Sequence, residues 1–144
     1  MPARQDPSAL SFKVLAEIAD GETATVELCR VTSGPSEGRL VAVKRLHPHL
    51  AGDPAFVDQF RDEMWLTAAL RHPNVVEVVG WGSDDRGLYL AVELVQGVSL
   101  ARLMKTIFDT GEAFTERMVV FILRQICRGL EKAHALKSPA GEPL

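Results

Sequence analysis

The stretch Val41-Ala42-Val43-Lys44 decides how the rest of this chain is interpreted. It is a short, β-branched, apolar run that ends in a cation, and it belongs to a strand predicted over residues 40–46. Because side chains alternate along a strand, Ala42, Lys44 and Leu46 are expected on one face of a sheet. The strand therefore presents a single ammonium group on an otherwise apolar face.

A helix with an inward-facing carboxylate follows that strand. Asp53-Pro54 is typical of an N-cap and first turn. Five residues spaced by three or four positions then share one face: Phe56, Phe60, Glu63, Thr67 and Leu70. A carboxylate on such a face needs a cationic partner or contact with water. Lys44 is the candidate partner for Glu63, and a structural ion pair with another cation is the alternative.

A turn of small residues precedes the strand that carries Lys44. The segment Ala19-Asp20-Gly21-Glu22-Thr23-Ala24 separates two short β-rich runs, at 12–18 and 25–31, and predicts a hairpin. A turn with little side-chain bulk can bring its backbone N–H groups close to an anion. An ordinary hairpin turn is the alternative interpretation.

The remainder of the chain predicts two more strands and two helices. The strands are expected at 75–81 and 88–94, joined by a loop at 83–87. A short helix is expected at 100–108, and a longer one begins at Thr115. Apolar side chains recur along the longer helix: Met118, Ile122, Ile126, Leu130 and Ala133. We expect this helix to expose apolar surface.

Composition excludes several classes of protein. The chain has 144 residues, a formal net charge of -3 and no basic stripe, which argues against a nucleic-acid partner bound through phosphates. Residues 1–11 lack the apolar core of a signal peptide and are expected to be a disordered leader. No apolar run reaches the roughly 18 residues of a membrane span. A cytoplasmic location without a membrane segment is therefore expected.

The potential metal ligands in the chain are scattered. Cys29 and Cys127 match no metal or redox spacing, and they fit small core thiols in a reducing compartment. His47 and His49 have no accompanying carboxylate or cysteine cluster, so a solvated loop is expected there. We therefore predict no metal ligand in this chain.

Taken in order, these segments resemble a protein kinase, specifically a bacterial Ser/Thr kinase of the eukaryotic type. The resemblance rests on three stretches in sequence order: Val41-Ala42-Val43-Lys44, then Glu63 before Leu70-Arg71-His72-Pro73-Asn74-Val75-Val76, and Leu88-Tyr89-Leu90-Ala91-Val92-Glu93-Leu94-Val95-Gln96-Gly97. It implies an α+β fold with a five-stranded antiparallel sheet and one packed helix. Residues 12–97 would form the N-terminal lobe, and residues 98–144 would be the incomplete start of the C-terminal lobe.

The resemblance also implies how ATP is bound. Lys44 would hold the α- and β-phosphates, and Glu63 would orient Lys44. The turn at Ala19 and Gly21 would cover the phosphates. The Mg²⁺ ligands are expected beyond residue 144.

The adenine ring would be held by a second group of residues. By the same resemblance, Val26 and Ala42 would press on the ring, and the backbone of Glu93 and Val95 would hydrogen-bond its edge. The parent reaction would transfer the γ-phosphoryl group of ATP to a hydroxyl of a protein substrate that the sequence does not identify.

Two departures from the kinase pattern affect the functional prediction. The Gly-x-Gly-x-x-Gly loop keeps only Gly21, with alanine at positions 19 and 24, so weakened rather than abolished nucleotide binding is expected. The 144 residues contain no His-Arg-Asp, Asp-Phe-Gly or Ala-Pro-Glu, so the chain alone is expected to be inactive. A non-catalytic kinase-like interaction module is the alternative function, and an unrelated α+β enzyme is a third interpretation.

Overall fold

A computed structural model describes residues 10–136 of the chain. Its strands are β1 Phe12–Asp20, β2 Ala24–Val31, β3 Leu40–Leu46, β4 Val78–Asp84 and β5 Gly87–Glu93, and its α-helices are α1 Pro54–Ala69, α2 Leu100–Thr110 and α3 Glu116–His134. A short 3-10 helix spans Pro48–Leu50. The described residues fall into two compact units, one of residues 10–71 and 76–94, the other of residues 72–75 and 95–136.

The first unit contains a five-stranded sheet in the order β1-β2-β3-β5-β4, and every neighbouring pair is antiparallel. The predicted sheet is thus confirmed. In the register of β3, Lys44 lies opposite Val26 on β2 and Leu90 on β5, while Ala42 lies opposite Val92. Directly opposed residues share a face, so the expected alternation along β3 is confirmed.

Helix α1 packs on the face of the sheet that carries Lys44. It begins at Asp53, whose carboxylate accepts a hydrogen bond from the Ala55 N–H at 2.9 Å. The apolar cluster beneath the helix consists of Ala24, Leu46, Phe60, Met64 and Leu90. The sequence pattern identified Phe60 but not Met64, which is one residue beyond Glu63 and turns inward beside it.

The opposite face of the sheet buries a second apolar cluster, formed by Cys29, Val31, Val41, Val43, Tyr89 and Ala91. Leu10 packs against this cluster, and its N–H donates to the Tyr89 hydroxyl at 3.0 Å. A Cβ at Gly80 would stand 2.5 Å from a Leu10 side-chain carbon, so Gly80 makes room for this segment. Residues 1–9 of the predicted leader lie outside the described residues. Burial and the nearby Glu27 raise the pKa of the Cys29 thiol to about 11, as expected of a core thiol. The same prediction was wrong for Cys127, which is exposed.

A buried ionic network crosses the same face. Arg45 is only 3% exposed, lies 5.6 Å from the centre of the Tyr89 ring, and donates two hydrogen bonds to the Asp84 carboxylate at 2.6 and 2.9 Å. Arg86 donates two more to Glu27, at 2.6 and 3.2 Å. Buried charges are tolerated only when they are paired in this way. The network ties β2, β3 and the β4–β5 hairpin together.

The prediction of the fourth strand was wrong by three residues. It placed the strand at 75–81. In the structure the Val75 N–H donates to the His72 carbonyl at 3.0 Å and closes a turn, so β4 begins only at Val78. The predicted loop at 83–87 is a two-residue turn, made possible by Gly87 at φ +107°. Glycine reaches this left-handed region without the steric cost of a Cβ.

The second unit contains α2 and α3. Both begin at hydroxyl N-caps, Ser99 and Thr115, and α2 ends at Gly111 with φ +71°. Helix α3 presents much of its apolar surface to solvent, as the sequence predicted; its exposed large residues are Met118, Val119, Val120, Phe121, Leu123, Ile126 and Leu130. So many exposed large apolar side chains on one helix are unusual for a monomer.

Replacing Asp84 with asparagine should lower the free energy of unfolding by roughly 2 kcal/mol, because Arg45 would lose its charged partner. This value is below the usual cost for a fully buried pair, since the Asp84 side chain is 32% exposed. Burial alone would raise the pKa of Asp84, but hydrogen bonds from Arg45 and the Arg86 N–H lower it below 3.8. The contribution to stability is thus present above about pH 4 and is lost as the pH falls through the folded-state pKa.

Denaturant unfolding over this pH range tests that prediction, with Asp85→Asn as the matched control. The difference in unfolding free energy between wild type and Asp84→Asn should narrow on acidification. A difference that stays constant down to the lowest pH contradicts the assignment.

The 144-residue chain in isolation should self-associate through α3. Replacing Phe121 and Ile126 together with glutamate should yield a monomer, because two charges on the apolar face oppose its burial. Sedimentation velocity over a range of concentrations measures this, with Arg117→Glu and Arg124→Glu on the same helix as controls. A wild-type chain that is monomeric throughout would show that the apolar surface does not drive association.

Candidate functional site

Lys44 and Glu63 form an ion pair between β3 and α1. The Lys44 Nζ atom lies 2.6 Å from each carboxylate oxygen of Glu63. The same ammonium is 5.8 Å from the centre of the Phe60 ring. The side chains are 32% and 46% exposed, so the pair is open to solvent on one side. The structure therefore brings together the two residues that the sequence predicted as partners, and it leaves about a third of the Lys44 side chain exposed.

Val26 and Ala42 lie on the same face of the sheet as Lys44. Val26 is directly opposite Lys44 in the β2–β3 register, and Ala42 lies two residues before Lys44 on β3. Both side chains are half-buried. Two small apolar side chains beside a cation form a surface on which a planar, partly apolar ligand with an anionic tail could lie.

The turn between β1 and β2 is closed by the only glycine left in the loop pattern. The Gly21 N–H donates to the Ala24 carbonyl at 3.0 Å, and a Cβ at Gly21 would stand 3.3 Å from that oxygen. Ala24 is 6% exposed and belongs to the cluster beneath α1, whereas Ala19 is exposed. The methyl group of Ala24 therefore fills the core instead of narrowing the space above the turn.

His47 contacts this turn, and sequence reasoning missed it. The expected solvated loop is wrong for His47, whose side chain is only 16% exposed. The Nε2 atom of its ring lies 2.8 Å from the Gly21 carbonyl oxygen, and its backbone N–H donates to the Thr23 carbonyl at 3.0 Å. The sequence around His47 does not predict this contact, because the contact depends on how far the neighbouring β1–β2 hairpin extends. His49 is exposed, as expected.

Glu93 is the last residue of β5, and both its backbone and its side chain form hydrogen bonds with Glu77. Its N–H donates to the Glu77 carbonyl at 2.9 Å, and its carboxylate accepts from the Glu77 N–H at 2.9 Å. Glu77 in turn pairs with Arg39 at 2.7 Å. Val95 follows two residues later, belongs to the second unit and is 71% exposed.

Two further findings concern metals and membranes. Within residues 10–136, no group of three or more His, Cys, Asp and Glu side chains is arranged to hold a metal ion. Over the same range, no helix has the length and apolar character that crossing a bilayer requires.

The comparison with protein families decides the assignment. The model of the protein kinase domain matches residues 12–138, which is most of the chain. The chain belongs to the protein kinase domain family. The resemblance drawn from Lys44, Glu63 and the 88–97 segment is thereby confirmed at the level of the family.

Individual protein kinases show the same relationship. The chain is 30% identical over 133 residues to the tyrosine-protein kinase MasK of Myxococcus xanthus, and 38% identical over 103 residues to the serine/threonine-protein kinase PknA of Mycobacterium tuberculosis. These matches cover 92% and 68% of this chain. Among solved structures, the PknI kinase domain of M. tuberculosis superposes with a TM-score of 0.68 at 25% identity over 92% of this chain.

The chain covers only part of these kinases. It spans 21% of MasK and 23% of PknA, and 52% of the PknI kinase-domain chain. The confirmed α+β fold therefore corresponds to about half of a kinase domain, comprising the N-terminal lobe and the start of the C-terminal lobe.

The ion pair at the site should contribute little to folding. A double-mutant cycle with Lys44→Ala and Glu63→Ala should give a coupling free energy below about 1 kcal/mol, because both side chains are partly solvated. Denaturant unfolding of the four proteins measures this coupling. A coupling above about 2 kcal/mol would mean that the pair is mainly a structural element of the sheet.

Proposed function

We propose that this chain is the ATP-binding portion of a serine/threonine protein kinase. The observation that supports it best is the contact of the Lys44 ammonium with both carboxylate oxygens of Glu63, at 2.6 Å each. In this arrangement Lys44 binds the α- and β-phosphates of ATP, and Glu63 keeps the ammonium directed at them. Both are assigned as catalytic residues because phosphoryl transfer depends on positioning and charge neutralisation.

The chemistry of the site suits a polyphosphate. Lysine carries a compact charge on a flexible stem, so it follows a phosphate group well, and hydrogen bonds between charged groups are the stronger ones. The turn containing Ala19 and Gly21 adds backbone N–H groups. In this proposal, the Mg²⁺ ligands belong to the part of the parent kinase that follows residue 144.

The adenine ring lies, in this proposal, on the apolar surface of Val26 and Ala42. The backbone of Glu93 and Val95 hydrogen-bonds the ring edge. The two hydrogen bonds between Glu93 and Glu77 support this assignment, because they fix the end of β5 that the ring would contact. A fixed end of the strand reduces the ordering cost of binding.

The parent kinase transfers the γ-phosphoryl group of ATP to a protein hydroxyl. PknA supports serine or threonine as the acceptor, while the name of MasK identifies that relative as a tyrosine kinase. The 144 residues contain no His-Arg-Asp, Asp-Phe-Gly or Ala-Pro-Glu motif, so we propose that they do not phosphorylate a protein by themselves.

A second candidate function is a non-catalytic, kinase-like interaction module. The alanines at positions 19 and 24 and the exposed apolar face of α3 favour it. The coding sequence separates the two candidates: His-Arg-Asp soon after Leu144 indicates the enzyme, and a stop codon at that point indicates the module.

Calorimetric titration of the chain with Mg-ATP tests the proposed function directly. Wild type should bind, and Lys44→Ala should bind about 10- to 100-fold more weakly, because one charge-assisted hydrogen bond to phosphate is lost. Lys13→Ala, which removes an exposed lysine from β1, is the matched control and should bind like wild type. Absence of binding by the wild-type chain would reject the ATP-binding assignment in favour of the interaction module.

A further inference from the structure

His47 links the β1–β2 turn to the strand that carries Lys44. It is the first residue after β3, three positions beyond Lys44. Its backbone N–H donates to the Thr23 carbonyl at 3.0 Å, which extends the β2–β3 pairing by one step past Ala24 and Leu46. Its side chain reaches two residues further back in the turn, to Gly21. The turn is therefore held to β3 by both the backbone and the side chain of one residue.

The chemistry of this contact determines that the Nε2 nitrogen of the His47 ring carries a proton. A backbone carbonyl only accepts hydrogen bonds, so the Nε2 atom 2.8 Å from the Gly21 oxygen must carry a proton and donate it. The ring also stacks on His49, with centroids 5.2 Å apart and planes inclined by 22°. The Asp20 carboxylate lies 3.5 Å from the same Nε2 atom. Stacking and two neighbouring acceptors together orient the ring towards the turn.

We propose that His47 is a positioning residue for nucleotide binding, which holds the phosphate-covering turn at a fixed place relative to Lys44. This inference rests on the proposed function, since it requires that the turn covers the phosphates. Gly21, Glu22 and Thr23 are all exposed. Without the contacts from His47, this exposed turn would have to be ordered when the nucleotide binds.

The reduced glycine content of the loop gives His47 a specific role. Ala19 and Ala24 replace two glycines of the kinase pattern, and Ala24 is anchored in the core. Gly21 is the glycine that remains, and His47 binds its carbonyl. The residue thus acts through the backbone of the turn and does not itself need to touch the nucleotide.

Two matched substitutions isolate the hydrogen bond. His47→Gln and His47→Met both remove the ring and the stacking on His49, but glutamine keeps an N–H donor at a similar reach and methionine does not. For Mg-ATP, we expect His47→Met to bind about fivefold more weakly than wild type, which corresponds to one neutral hydrogen bond. His47→Gln should remain within about twofold of wild type.

Adenosine, which lacks phosphates, is the second ligand in this calorimetric experiment. All three proteins should bind it equally, because the turn contacts only the phosphates. Equal ATP affinity of the methionine and glutamine variants, or an equal loss with adenosine, would overturn the positioning role. His47→Leu is a second variant without a donor, should the methionine variant fail to fold.

Lys44→Ala in the same series separates the failure of the His47 proposal from the failure of the proposed ATP-binding function. If Lys44→Ala weakens ATP binding and His47→Met does not, only the role of His47 is rejected. If wild type fails to bind ATP, or Lys44→Ala has no effect, the proposed function is rejected and the role of His47 with it.

Discussion

The register of β3 between β2 and β5 is the constraint on which this structure depends. Because side chains alternate, Ala42, Lys44 and Leu46 face α1, while Val41 and Val43 face the opposite cluster. A shift of one residue would bury the Lys44 ammonium in an apolar cluster without its carboxylate. The same register that forms the two cores therefore also places the cation of the candidate site.

The two faces of the sheet use charge differently. On one face Arg45 is almost fully buried, so the loss of its partner Asp84 would destabilise the fold. On the other face the side chains of Lys44 and Glu63 remain about one-third and one-half exposed, so their pairing contributes little to folding. Adjacent residues of one strand thus carry a structural cation and a candidate functional cation, and solvent access distinguishes them.

The chain belongs to the protein kinase domain family, but its β1–β2 turn departs from the glycine pattern of that family. Ala24 is absorbed into the core beneath α1, and Gly21 keeps the close approach that closes the turn. His47 adds an external anchor to that turn. The loop has therefore lost conformational freedom and is held by contacts that the glycine pattern alone does not specify.

The sequence by itself determined the order of the elements, the face of β3 that carries Lys44 and the face of the helix that carries Glu63, because local periodicity of two or of three to four residues defines each of them. It named Lys44 as a candidate partner for Glu63, and the tertiary structure decided that the two meet. Only the tertiary structure decided the start of β4 at Val78, the burial of Arg45 and the contact of His47 with the turn. Those features depend on hydrogen bonds and ion pairs between residues far apart in the chain, as between Arg45 and Asp84. Such contacts leave no periodic trace in the sequence.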